Sequence, residues 1–227
     1  MNKHEYTQEK LAWSGKDWLL LGINALIFVV MFILFNDDLP AEVGTHFNGQ
    51  GEQDGSMSKP FFWLFNGIIT VALPAVLSLL RTIDPRRQNY RFFNDYYYLT
   101  RWAVSLFLQA ILLVVIFVNL DYNVPTLHLV LGGLGLLWIV IGNRMGQLRS
   151  NFFFGIKTPW ALMDEHNWKL THRLSARLWF IAGIVMFISA WIIASAWIMP
   201  VLITCVLVSS LVPFAYSYML YMRKAQS

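Results

Sequence analysis

Six ionisable side chains crowd one short stretch of the chain: Asp37, Asp38, Glu42, His46, Glu52 and Asp54. Carboxylates at that density are potential oxygen ligands for a hard divalent cation. Their spacing matches no calcium loop, and a lone histidine is a poor donor set for zinc. The same stretch is rich in turn formers, Asn48-Gly49, Gly51 and Asp54-Gly55, which favour sharp reversals or hairpins. The expectation is an acidic solvated loop in which His46 and Asn48 hydrogen-bond their own turns, with no metal bound.

A second concentration of chemistry lies further on, where His166 and His172 stand six residues apart. On a helix that separation turns them about 240° from each other, so they share no face. A zinc-protease pair needs the i, i+4 spacing that is missing here. No serine sits in a nucleophile elbow, and no glycine loop precedes Lys-Ser or Lys-Thr. Cys205 is the sole cysteine and falls in an apolar run, so neither an internal disulfide nor a thiolate metal site is possible. Neither an enzyme nor a cofactor is expected.

The elements that carry these residues are dictated by hydropathy. Of 227 residues, 57% are hydrophobic and 13% charged, against roughly 45–50% and about a quarter in a soluble domain. Lipid must solvate the excess. About 20 apolar residues cross a hydrocarbon core about 30 Å thick, and six segments qualify: Trp18 to Phe35, Phe61 to Leu80, Ala103 to Leu120, Leu127 to Ile141, Leu178 to Ala196 and Ile198 to Tyr221. The polar start and the long first apolar run give no signal-peptide pattern, so the first helix is expected to stay. The fold class is an all-α integral membrane protein with six transmembrane helices.

Basic residues set the orientation, because Lys and Arg are retained on the cytoplasmic side. Lys59 alone faces outward, and the other sixteen of the seventeen cations share one side. Both termini are therefore expected in the cytoplasm. The layout is a polar arm over 1–16, helices 1 and 2 over 17–80 with an outer loop at 36–59, and a basic inner loop at 81–101. Helices 3 and 4 follow over 102–142, then a second inner loop at 143–177, helices 5 and 6 over 178–222 and a tail at 223–227. The net charge of +4 reflects this topology and attraction to anionic membrane lipids, not direct nucleic-acid binding.

Local signals refine the layout. Thr158-Pro159 reads as an N-cap with proline at the first helical position, and Asp164-Glu165 as a second helix start that runs on into helix 5. Pro74 and Pro213 should kink helices 2 and 6, which membranes tolerate when neighbours satisfy the freed carbonyls. The spans hold no charge away from their ends. Their Asn24, Asn66, Gln109 and Asn119 are more in keeping with interhelical hydrogen bonds than with a transport path. Gly142 and Gly146 form a small-xxx-small pair suited to close helix packing.

Two stretches are recognisable. Gly142-Asn143-Arg144-Met145, Asn151 to Phe154 with Gly155-Ile156-Lys157-Thr158-Pro159-Trp160-Ala161-Leu162, Trp168 and Thr171-His172-Arg173-Leu174 resemble the signature of the SdpI family of bacterial membrane immunity proteins. Leu39-Pro40, Thr45-His46-Phe47-Asn48, Gly51, Asp54-Gly55 and Ser58-Lys59 resemble the short domain of unknown function often found before it. Gly146 stands where the family commonly has proline, and Ser175-Ala176 where it has a glycine pair.

The resemblance implies a protein of the bacterial plasma membrane that protects against a secreted, membrane-active peptide toxin. It also implies a receptor role in which a cytosolic repressor is held at the membrane. The motif residues His46, Asn48 and Asp54 outside, and Asn143, Asn151, Gly155, Lys157, Thr158, Pro159, Trp160, Trp168, Thr171, His172 and Arg173 inside, would then serve partner binding. The plainer reading is that Asn143, Asn151, Thr158 and Arg173 tie the loop under the bundle through hydrogen bonds. A small-molecule or lipid-interacting transporter is the alternative function.

Overall fold

The computed structural model describes residues 13–49 and 52–226. The expectations for the arm over residues 1–12 and for Gly51 lie outside the described residues. Among the described residues, six helical rods of 20 to 31 residues are each long and apolar enough to cross a membrane. At about 1.5 Å per residue even the shortest matches a core about 30 Å thick. Their apolar residues face outward as well as inward: Leu26, Ile33, Ile192 and Leu211 are all exposed. Such faces need lipid as solvent.

In chain order the rods are α1 (Gly15–Phe35), the continuous segment Lys59–Ile83, α4 (Asn94–Asn119), α5 (Thr126–Met145), α7 (Glu165–Ile192) and α8 (Ile198–Ala225). The Lys59–Ile83 rod consists of α2 (Lys59–Gly67), a π-helical turn (Ile68–Ala72) and α3 (Leu73–Ile83). A short helix, α6 (Pro159–Met163), precedes α7, and a 3-10 turn over Ser195–Trp197 leads into α8. Hydropathy places all six rods but stops short at their polar ends. α5 runs four residues past Ile141, so Asn143 and Arg144 ride on its last turn, and α7 begins at Glu165, so Trp168 to Arg173 are helical. Apolarity marks what lipid touches, whereas a helix continues wherever its backbone bonds are satisfied.

The two prolines are accommodated differently. Pro74 is preceded by the π turn, whose wider ring absorbs the missing donor. Pro213 sits inside α8 and leaves the carbonyl of Ser209 without its helical partner. The Trp179 indole of α7 donates to that carbonyl at 3.1 Å. A neighbouring helix thus supplies the lost bond.

Backbone approach between α5 and α7 depends on glycine. A Cβ on Gly135 would stand 2.5 Å from Phe187 N, one on Gly142 2.5 Å from Phe180 N, and one on Gly183 2.6 Å from Ile139 N. No larger residue fits those contacts. Gly146, in contrast, would meet only Arg173 and Ala176, at 3.6 Å or more. The close seam is therefore Gly135 against Gly183 and Gly142 against the Trp179–Phe180 backbone, with Trp138 stacked on Trp179 beside it at 4.6 Å.

At one end of the bundle the turn-rich segment folds as an antiparallel hairpin of β1 (Glu42–Phe47) and β2 (Gln53–Ser58). Val43 is fully buried and packs with Leu39, Phe62, Trp63, Leu112 and Ile116. Asn119, at the end of α4, receives the Gly44 N–H at 2.6 Å and donates back to the Gly44 carbonyl at 2.8 Å. Lys59 donates to the carbonyls of Asn36 and Leu39 at 2.9 and 2.8 Å. It therefore satisfies acceptors at the negative end of α1, where a cation is favoured.

Candidate functional site

The hairpin holds the first group of motif residues, and their polar contacts are local. His46, exposed, contacts Asp54 across the strands through Nδ1. The Asn48 side chain accepts the Glu52 N–H at 3.0 Å and donates to the Glu52 carboxylate at 3.2 Å. Asp37, Asp38 and Glu42 point into solvent around it. Among the described residues no three His, Cys, Asp or Glu side chains converge as metal ligands do. The hairpin offers an acidic, solvated edge.

At the opposite end, the chain between Gly146 and Asp164 folds into a compact cap built around buried polar side chains. Asn151 is completely buried. Its Oδ1 accepts the N–H groups of Phe153 and Phe154 at 3.1 and 2.6 Å, while its amide donates to the Arg149 carbonyl at 2.9 Å. That is an Asx turn, which satisfies backbone groups no helix could reach. The next turn needs Gly155, whose φ of +104° is open only to glycine. A Cβ there would also collide with His172 Nε2.

His172 is buried under this turn. Its Nδ1 lies 2.8 Å from the Trp168 carbonyl and its Nε2 3.0 Å from the Ile156 N–H. The geometry assigns the tautomer: Nδ1 carries the proton and donates, and Nε2 accepts. The ring stacks on Trp168 at 4.0 Å, and the Trp168 indole donates to the Leu148 carbonyl at 2.9 Å. Both ring nitrogens of the histidine are occupied by backbone. Its role in the fold is to hold the loop.

The remaining motif residues divide into two sets. Thr158 caps α6 by accepting the Ala161 N–H at 3.1 Å and shares a hydrogen bond with Ser217 of α8 at 2.6 Å. Thr171 donates to Asn167, whose Oδ1 also receives Ser217. Pro159 opens α6, and Trp160 rests among Phe214, Tyr218 and Tyr221. Asp164 caps α7 at the His166 N–H, and the Lys224 ammonium beside it holds its carboxyl below the usual range. Asn143, Lys157 and Arg173 form the other set and present their side chains to solvent.

The cap is fused to the segment between α3 and α4. Asp84, buried, accepts the N–H groups of Arg86 and Phe152 at 2.7 and 2.9 Å and the Tyr90 hydroxyl at 3.1 Å. Burial first, and then the Asp84 charge, push the Tyr90 phenol well above its ordinary range, so it remains a donor. Asn89 donates to the Ser150 carbonyl, Arg86 to that of Leu162, and Tyr96 to that of Ile141. One folded body results.

A further ionic cluster joins three rods at this same end. Asp17 of α1 receives Arg81 of α3 and Arg101 of α4, each at 2.6 Å, with all three side chains almost wholly buried. The Ser14 N–H and hydroxyl and the Tyr98 ring complete the surroundings. Read from the sequence, Arg81 and Arg101 were cations of an inner loop; in the fold they are internal. The signal available was one acid and two arginines at the same end of three apolar runs. Deeper in, Gln109 donates to Asn24, linking α4 to α1.

These features define a polytopic helical membrane protein with an acidic hairpin at one end and a polar-pinned cap at the other. Residues 147–217 match the SdpI/YfhL protein family, and residues 22–70 match a domain of unknown function, DUF1648. The chain is a membrane protein related to the SdpI and DUF1648 families. Immunity protein SdpI of Bacillus subtilis (strain 168) is 24% identical over 209 residues, which cover 92% of this chain and 97% of that protein. No solved structure matches.

Proposed function

We propose that the protein is an immunity factor of the bacterial plasma membrane, protecting its cell from a secreted, membrane-active peptide toxin. The observation that carries this reading is its similarity to an immunity protein along nearly the full length of both chains. The basic residues favour an orientation with both termini and the cap in the cytoplasm and the hairpin outside. A cationic peptide would then meet the exposed Asp37, Asp38 and Glu42 first.

A receptor role rests on a narrower observation. Asn143, Lys157 and Arg173 are polar motif residues at the cap end whose side chains are exposed, and they are available to a soluble repressor. The test of immunity is expression in a sensitive bacterium challenged with a panel of membrane-depolarising peptides. Survival is expected to rise relative to an empty vector. Unchanged killing despite confirmed membrane expression would sink the reading. For the receptor role, a small helix-turn-helix repressor encoded beside this gene should sediment with membranes only when toxin and this protein are both present.

A further inference from the structure

At the cap end, three large apolar side chains outside the six rods stand exposed: Phe92 (55%), Phe152 (40%) and Met163 (80%). Lipid tails around the helices do not account for them. Arginines lie over two of these rings. The Arg86 guanidinium sits 5.0 Å from the Phe152 centroid and is anchored to Ser150 and the Leu162 carbonyl. Those of Arg91 and Arg149 both sit on Phe92, at 4.6 and 5.4 Å.

Arg91 and Arg149 differ from Arg81 and Arg101, which pair with Asp17. Among the described residues neither guanidinium has a carboxylate partner. The nearby Asp84 carboxylate is already occupied by two N–H groups and the Tyr90 hydroxyl. Asp95, four residues beyond Arg91, forms no ion pair among the described residues. Two like charges on one ring lie within about a Debye length, about 8–10 Å, and repel. An anion held by both would relieve that repulsion.

We propose that Arg91 and Arg149, with the Phe92 and Phe152 rings, form a binding site for an anionic phospholipid, the guanidinium forks taking the phosphate. Guanidinium matches phosphate oxygens in two-point fashion. The exposed rings supply the apolar surface that an acyl chain requires. A free phosphate would make no use of that surface, which is why the site commits to lipid. The inference stands apart from immunity, since it needs neither toxin nor repressor.

Full-length protein in detergent, titrated with phosphatidylglycerol or with phosphatidylcholine of the same chains, tests it by native mass spectrometry. Phosphatidylglycerol should bind at least about tenfold more tightly, and Arg91→Gln/Arg149→Gln should abolish that preference. Arg144→Gln/Arg177→Gln removes the same charge from other exposed positions and should leave it intact. An equal loss in both pairs would reduce the effect to net charge and overturn the site. Competition by inorganic phosphate at the lipid's concentration would overturn it too. If the glutamine pair does not fold, Arg91→Lys/Arg149→Lys decides: preference should fall several-fold, and full retention counts against the paired guanidinium geometry.

Discussion

Among single residues, the motif separates by burial into those that hold the cap and those that face outward. Asn151→Ala removes acceptors for two backbone N–H groups inside the protein, and an orphaned buried group costs about 1–3 kcal/mol. Gly155→Ala meets both the positive φ and His172, and strain of this kind costs on the order of 1–3 kcal/mol. Both variants should melt earlier in detergent and accumulate less in membranes. Arg173→Ala, being exposed, should change stability by no more than about 0.5 kcal/mol. If its protective activity nonetheless falls at equal protein level, Arg173 acts on a partner. Unchanged melting of Asn151→Ala would remove the structural account of that residue. Asp37→Ala should leave stability unchanged and reduce protection less than either Asn151→Ala or Arg173→Ala, because Asp38 and Glu42 remain exposed beside it.

Between elements, the packing depends on how each helix repairs its neighbour's backbone. Pro213 leaves the Ser209 carbonyl free, and Trp179 takes it. The two should therefore be coupled. Trp179→Phe keeps most of the stack on Trp138 but orphans that carbonyl, at a cost of about 1 kcal/mol, the scale of hydrogen bonds between membrane helices. In a Pro213→Ala background the backbone N–H of residue 213 can reclaim the carbonyl, and the same substitution should cost close to nothing. Reversible unfolding in mixed micelles reads the cycle, and strictly additive losses would dissolve the coupling. The hairpin shows the limit of reading such contacts from sequence. The Asn48-Gly49 step announced the reversal, whereas Asp54-Gly55 lies within β2, and nothing local announced that Asn119, some 75 residues away, grips Gly44. Six apolar runs were legible because lipid contact is a property of each segment; pairing across segments is not.

On the scale of the whole molecule, α4 joins parts that the family matches leave separate. Residues 71–146 lie between the two matched stretches, yet α4 reaches the hairpin through Asn119, the ionic cluster through Arg101 and the cap through the Tyr96 ring against Phe154. The cap motif was legible as a string of residues, and its Thr158 and Asp164 helix starts were too. The ionic cluster was not, because Arg81 and Arg101 read as ordinary loop cations and nothing near Asp17 in sequence tied it to them until three helix ends converged. Its charge balance makes a distinctive prediction. Two guanidinium groups share one carboxylate, so Asp17→Asn leaves two buried like charges facing each other and should destabilise by about 3–5 kcal/mol, the cost of breaking a buried pair. Adding Arg101→Met to that variant removes one of the stranded charges and replaces it with apolar volume. Stability should then recover in part, so the double variant ought to melt above Asp17→Asn alone. A double variant that melts lower instead would mean that Arg101 stabilises the bundle through Ser78 and its stack on Tyr97 and Tyr98 more than through Asp17.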